Sequence, residues 1–491
     1  MEPSTKVSEK QLYEIWENRS FNDNLTTVTG EKITVIDVGV YDPDLSGPDF
    51  KNARIRIGNI MYVGDIEIDT NYNGWKSHGH NIDKNFNKTI LHLCLFNKYN
   101  QPFVYTKDGR KVPTACLSDY VEPEKLKNFQ EHTTTVPAGN NKIKCKSVSH
   151  FVTDGEKEVI LKDLAKNRLQ KKCDRIYHRL KELSFVKSNY VVNEPVLHYE
   201  LDEGYQDKDF DAEEFADKKI WQQLFYEQLF EALGYSKNKT IMLSLAKAVD
   251  LNFIERLGKD EKILEYIESA LFNIAGIIPD IKTFSEPSNY MQTISDDWEI
   301  LKRIYDGQTF NETEWYFFKL RPQNFPTLRI AGGARFIKAI LYEELIEKII
   351  KKFIEIKNVN VLLNSVRSLF VVKARGYWSD HYIFEKKANT KIKYFVGVSR
   401  ANEILINVLL PFFSVYFDVF PNEDASRKLL KLYNILDQTT ENRIVKEVAE
   451  GIHMGNYTKS AVYTQGMLEL FRSFCSKDKC LECEIGKQLF D

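Results

Sequence analysis

The sequence predicts an α+β fold, with an amino-terminal mixed-sheet domain followed by a larger, mainly helical region. Three observations predict it: short alternating apolar runs over the first 120 or so residues, a Gly58-Asn59 turn joining two of them, and helical periodicity from Asp154 onward. The division is 1–130 for the sheet domain, 131–150 for a connecting segment rich in Thr, Lys, Asn and Gly, and 151–491 for the helices.

Taken in order, Gln11 to Phe21 reads as an amphipathic helix with Leu12, Ile15 and Trp16 on one face. Strands are predicted at Lys32 to Gly39, Asn52 to Ile57, Ile60 to Ile68 and Thr89 to Phe96. Val159 to Leu183 is a long helix carrying Lys162, Lys166, Arg168, Lys171, Lys172, Arg175 and Arg179, either a solvated face or a surface that tracks phosphates. Tyr199 to Asp217 holds nine acidic residues. Its Asp207-x-Asp209-x-Asp211 start resembles a calcium loop, but Ala212 and Lys218 stand where such a loop needs Gly and Glu, so it reads as an acidic surface insert. Further strands are predicted near Phe370 to Val372 and Lys393 to Val396.

Composition narrows the class. Hydrophobic residues at 43% and charged residues at 28% are ordinary for a soluble globular chain. Lys+Arg 68 against Asp+Glu 70 leaves a net charge of −2, which excludes a polycation and confines any nucleic-acid contact to a local basic face. The apolar run Ile404 to Phe420 is interrupted by Asn407, Pro411 and Asp418, so it predicts a core element, with no membrane partner. The start, Met1 to Glu17, is polar and lacks a secretory signal, and seven cysteines do not suggest a disulfide scaffold; a cytoplasmic location is expected.

The richest chemistry lies between Pro48 and His92. Side chains alternate across a strand, so Asp65, Glu67 and Asp69 share one face while Ile66 and Ile68 share the other. The turn pairs Ile57 with Ile60, which leaves Asp49 one residue out of register with Glu67; a bulge, expected at Gly64, would correct it. Converging carboxylates repel unless a cation sits among them, which makes Asp49, Glu67 and Asp69 candidate ligands for Mg²⁺ or Mn²⁺. Trp75-Lys76-Ser77-His78-Gly79-His80, with Asp83 and His92, follows directly. A His-x-His pair near an Asp can hold zinc or manganese, and His78 or His80 can serve as a general acid or base.

Cys475, Cys480 and Cys483 form a second candidate, a structural zinc or iron–sulfur centre, because Cys-x2-Cys is a metal-clasp spacing. The fourth ligand is open among His453, Cys145 and Cys173. Arg321-Pro322 to Arg329 and Gly376 to Tyr382 mix basic, polar and aromatic groups, as packed helix junctions and base-stacking surfaces both do. Walker, Gly-x-Gly-x-x-Gly, Gly-x-Ser-x-Gly and His-Glu-x-x-His motifs are missing.

Pro48-Asp49, a hairpin, then Glu67-x-Asp69 resembles the PD-(D/E)xK restriction-endonuclease-like superfamily. That resemblance implies two metal-binding acids and a lysine that orients or activates the attacking water, with a further acid from the preceding helix at Glu14 or Glu17. Asp69 stands where the pattern has lysine, leaving Lys76 or a histidine to take that part. Across most of the chain, QLYEIW, SGPDFKNARIRIG, GDIEID, WKSHGH, TILHLCL, RPQNFPTLRIA, GYWSDHY and CLECEIG resemble the bacterial domain-of-unknown-function family 2851, which implies no particular reaction. The expected function is a metal-dependent nuclease or phosphodiesterase acting on nucleic acid through Asp49, Glu67, Asp69, Lys76, His78 and His80. The alternative is a non-catalytic nucleic-acid-binding or scaffold protein on a decayed nuclease-like core.

Overall fold

Strand parity organises the first part of the molecule. The computed structural model describes residues 9–22, 24–41, 48–121, 143–189, 210–235, 237–317, 320–438 and 442–490. The chain forms two units, one reaching to Gly139 and one running from Asn140 to Leu489. Residues 131–142 of the expected connecting segment and 199–209 of the acidic insert lie outside the described residues.

In the first unit, helix α1 (Glu9–Glu17) precedes strands β1 (Ile33–Asp37), β2 (Val40–Tyr41), β3 (Phe50–Ile57) and β4 (Ile60–Asn71). A short helix α2 (Gly74–Ser77) then leads to β5 (Thr89–Phe96), β6 (Phe103–Tyr105) and β7 (Lys111–Cys116). The sheet is mixed, in the order β1-β3-β4-β5-β7-β6, with β2 also paired to β3. The β3–β4 hairpin is antiparallel, and β5 runs parallel to both β4 and β7. One face buries Ile66, Ile68, Leu91, Leu93 and Leu95 against Leu12, Ile15 and Trp16 of α1. That helix ends earlier than its periodicity predicts, because Arg19 turns the chain at φ 49° and Ser20 N donates to Ile15 O.

The hairpin register is corrected by a bulge, but not at Gly64. Ile57 pairs with Ile60 and Ala53 with Gly64, after which Phe50 pairs with Ile66. The extra residue therefore lies on β3, where Asn52 adopts φ 56° and its N–H is taken up by Asp65 Oδ1 at 3.1 Å. Gly64 answers a different need: a Cβ there would collide with the Lys88 carbonyl and the Ile90 side chain.

The second unit is helical. Its longest helix, α3 (Asp154–Asn189), packs against α4 (Lys218–Leu233), Ala461–Ser473 and the apolar segment around Leu410–Val419. The small strand pair predicted late in the chain forms as Val372–Lys373 against Tyr394–Val396. Helix Val398–Val419 is long and apolar enough to cross a membrane by length and composition, and most of it is buried within this unit. The basic row on α3 is neither bare nor evenly solvated. Arg175 makes two 3.0 Å bonds to Glu231, Arg179 grips Glu227 at 2.7 and 2.8 Å, and Lys171 meets Glu469 at 2.6 Å. Lys172 Nζ donates to Asn407 and Gln465, while Lys166 remains exposed without an ion pair among the described residues.

Candidate metal centre

Alternation on β4 puts Asp65, Glu67 and Asp69 on the sheet face opposite α1, and all three are buried. What covers them comes from the loop that follows. Trp75 of α2 and Phe86 form a small apolar cap with Val104 and Val112, and Trp75 Nε1 donates to Tyr105 O at 2.9 Å. His80 stacks flat on Phe86, with ring centroids 4.0 Å apart, and meets Trp75 edge-on at 5.5 Å. Gly79, at φ +81°, turns the chain so that His78 and His80 can both face β4.

The three acids have separate tasks. Asp65 is taken up by the bulge, and burial raises its carboxyl pKa. Glu67 Oε1 lies 3.2 Å from His80 Nδ1, while its Oε2 accepts the N–H of Asp49 at 3.1 Å. Asp49 Oδ2 in turn accepts the N–H of Ile68 at 2.9 Å, so Asp49 and Glu67 are locked across the hairpin. Asp69, 1% exposed, is held on one side by His92 Nε2 at 3.1 Å and on the other by His78 Nδ1 at 3.0 Å.

Asp69, His78 and His80 each present a donor atom within 4.8 Å of the others, the one such group of three among the described residues. Asp69 Oδ1 and His80 Nδ1 are buried without an aligned hydrogen-bond partner. Buried polar atoms of this kind are uncommon unless an ion or water completes them. His78 is 47% exposed, so the group is closed on the sheet side and open on the other. His92, fully buried on β5 between Asp69 and Thr114, fixes the Asp69 carboxylate as an outer partner does. Its position was legible in the alternation of Thr89 to Phe96, but its partner was not. Of the other expected site residues, Lys76 is exposed on α2 without an ion pair to the cluster; Glu14 is buried in α1 and Glu17 is exposed.

Two expected results follow locally. Gly74 abuts Asp69 so closely that a Cβ would overlap its carboxyl group. Gly74→Ala should displace Asp69 and cost about 1–3 kcal/mol of stability by overpacking, read as a lower urea midpoint with unchanged slope. Burial lowers the His80 pKa to about 4. Since an unfolded histidine takes up its proton near 6.5, the unfolded state binds more protons between these values. Stability contributed by neutral His80 is therefore full above about pH 6.5 and falls as pH drops toward 4. Urea titrations of metal-free protein across this window should show the slope, and His80→Phe should flatten it.

An α+β protein with a mixed sheet, one face of which buries a carboxylate–histidine cluster, is the class defined by these features. The chain belongs to the family described as Protein of unknown function (DUF2851), matching it over residues 9–192 and 206–442. No curated protein and no solved structure matches the chain.

Proposed function

We propose that the sheet unit binds a divalent transition-metal ion through Asp69, His78 and His80 and uses it to hydrolyse phosphodiesters in nucleic acid. The observation that carries this is the group of two imidazoles and one carboxylate, buried at Asp69 and His80 and exposed at His78, with donor atoms within 4.8 Å of one another. Imidazole ligands favour Mn²⁺ or Zn²⁺ over Mg²⁺, which prefers an all-oxygen shell. Such an ion supplies Lewis acidity and raises the acidity of water. Asp49 and His92 keep Glu67 and Asp69 oriented. In this reading Glu67 is the base: the oxygen of the attacking water bonds to phosphorus as the bond from phosphorus to the sugar oxygen breaks, the water's proton passes to Glu67, and the released sugar oxygen takes a proton from solvent.

Two further features support nucleic acid as the substrate. The order α1, hairpin, α2 and parallel β5 accompanies the Pro48-Asp49 and Glu67-x-Asp69 pattern. The helical unit has a cleft of about 340 Å³ lined by seven Lys and Arg side chains, Lys239 and Arg472 among them, against three Glu. That excess of positive charge suits phosphates. The position of Asp69, where the nuclease pattern has lysine, and the exposure of Lys76 outside the cluster favour a second reading, binding without cleavage.

A screen of single- and double-stranded DNA and RNA with Mn²⁺, Zn²⁺ and Mg²⁺ decides between them. Cleavage that depends on Mn²⁺ or Zn²⁺ and is lost in His80→Ala is the expected result. Metal binding with no cleavage of any of the four substrates would end the catalytic reading in favour of the second.

A further inference from the structure

The helical unit gathers a second set of side chains that the sheet site does not use. Cys145 lies in the turn Lys144–Ser147, while Cys475 and Cys480 open the turns Cys475–Lys477 and Cys480–Glu482, and Cys483 immediately follows. These stretches are far apart in sequence but meet in space. Cys145, Cys475 and Cys483 pack in one apolar cluster with Ile143, Leu470 and Phe471. Lys144 Nζ, beside Cys145, lies 3.5 Å from Asp478 Oδ1, in the bend between Cys475 and Cys480. Cys483 N donates to Cys480 O at 3.2 Å. All four cysteines are free of disulfides.

We propose that Cys145, Cys475, Cys480 and Cys483 bind one thiolate-held metal centre, an iron–sulfur cluster in preference to a single zinc ion. Of the two other candidates for the fourth ligand, Cys173 sits in a different core against Pro411 O, whereas His453 lies beside the Cys145 turn with its Nε2 engaged by the Lys146 carbonyl at 3.3 Å. Burial raises the Cys145 thiol to about 11, and the nearby Cys483 and Cys480 thiols add to that shift.

Spacing selects the metal. At a Zn–S distance of about 2.3 Å, tetrahedral geometry holds the sulfurs about 3.8 Å apart. Among the described residues no three sulfurs lie within 4.8 Å of one another. That spacing is wider than a single zinc ion holds, which favours a multi-iron cluster bound by four cysteines. Its role is structural, tying the turn at Cys145 to the turns after Ser473, and it is independent of the sheet site.

Full-length protein purified without oxygen should contain iron and acid-labile sulfide, with a visible charge-transfer absorption that dithionite bleaches. Cys145→Ser should lose that absorption as completely as Cys480→Ser, whereas Cys173→Ser and Asp69→Asn should keep it. Reconstitution of metal-stripped wild type with ferrous iron and sulfide gives the same answer without relying on a variant that folds. One zinc per chain, lost from the same variants, would overturn the iron assignment and uphold the four-thiolate centre. Metal retained by folded Cys145→Ser would overturn Cys145 as a ligand. Metal-free wild type that takes up neither iron nor zinc would overturn the centre altogether.

Discussion

Asp69→Asn should remove divalent-ion binding at the sheet site, with a loss of affinity for Mn²⁺ greater than about 100-fold. Removing an outer partner of a metal ligand already costs about 10–100-fold, and Asp69 is proposed as the ligand itself. The substitution keeps the shape of the side chain and can still accept a hydrogen bond from His92, so the fold should persist. His92→Gln, which leaves all three donors in place, should fall within the 10–100-fold range. Asp65→Asn is the control: it is buried on the same face but bonded to Asn52 N rather than to the cluster, and it should bind as wild type does. Calorimetric titration of the folded variants tests the series. Wild-type Mn²⁺ affinity in Asp69→Asn would dismiss the site.

Arg179→Met should destabilise the helical unit by about 3–5 kcal/mol. Glu227, 1% exposed, would lose both guanidinium bonds and keep its charge in a buried setting, and stranding one partner of a buried pair costs about that much. Gln223 still donates to Glu227 at 3.0 Å, which offsets only part of the loss. The double variant Arg179→Met with Glu227→Leu should recover most of the stability, because the isolated charge is then gone. Urea unfolding of the wild type and the two variants is the measurement, and an unchanged midpoint in Arg179→Met would show that Glu227 is adequately held without it.

How far the sequence reached depends on how local the determining contacts are. The hairpin at Gly58-Asn59, the strand Thr89–Phe96 and the shared face of Asp65, Glu67 and Asp69 all follow from a two-residue period, and each was legible. The period shows which side chains share a face but not what covers it. The cap of Trp75 and Phe86 over the acids comes from the loop after β4, while Asp65 is engaged by the bulge on β3 and Asp69 by His78 of that loop and His92 of β5. The basic row on α3 was visible as a row, yet Glu227, Glu231 and Glu469 reach it from 48, 56 and 298 residues away. Cys145 was one of three open candidates for the same reason, since its neighbours lie on turns at the far end of its unit.

The burial of Val398–Val419 inside the helical unit bears on how the chain fares before it is folded. This segment is greasy enough to enter a bilayer, and it is sheltered only when residues such as Cys173, Trp221 and Phe225, made much earlier, are already arranged to receive it. A nascent or heat-shocked chain that has lost this arrangement offers a long sticky stretch to other chains, to lipid and to chaperones. The hazard sits in the middle of the unit rather than at a frayed edge, so it surfaces on global opening, and resistance to clumping is tied to the rate of that opening.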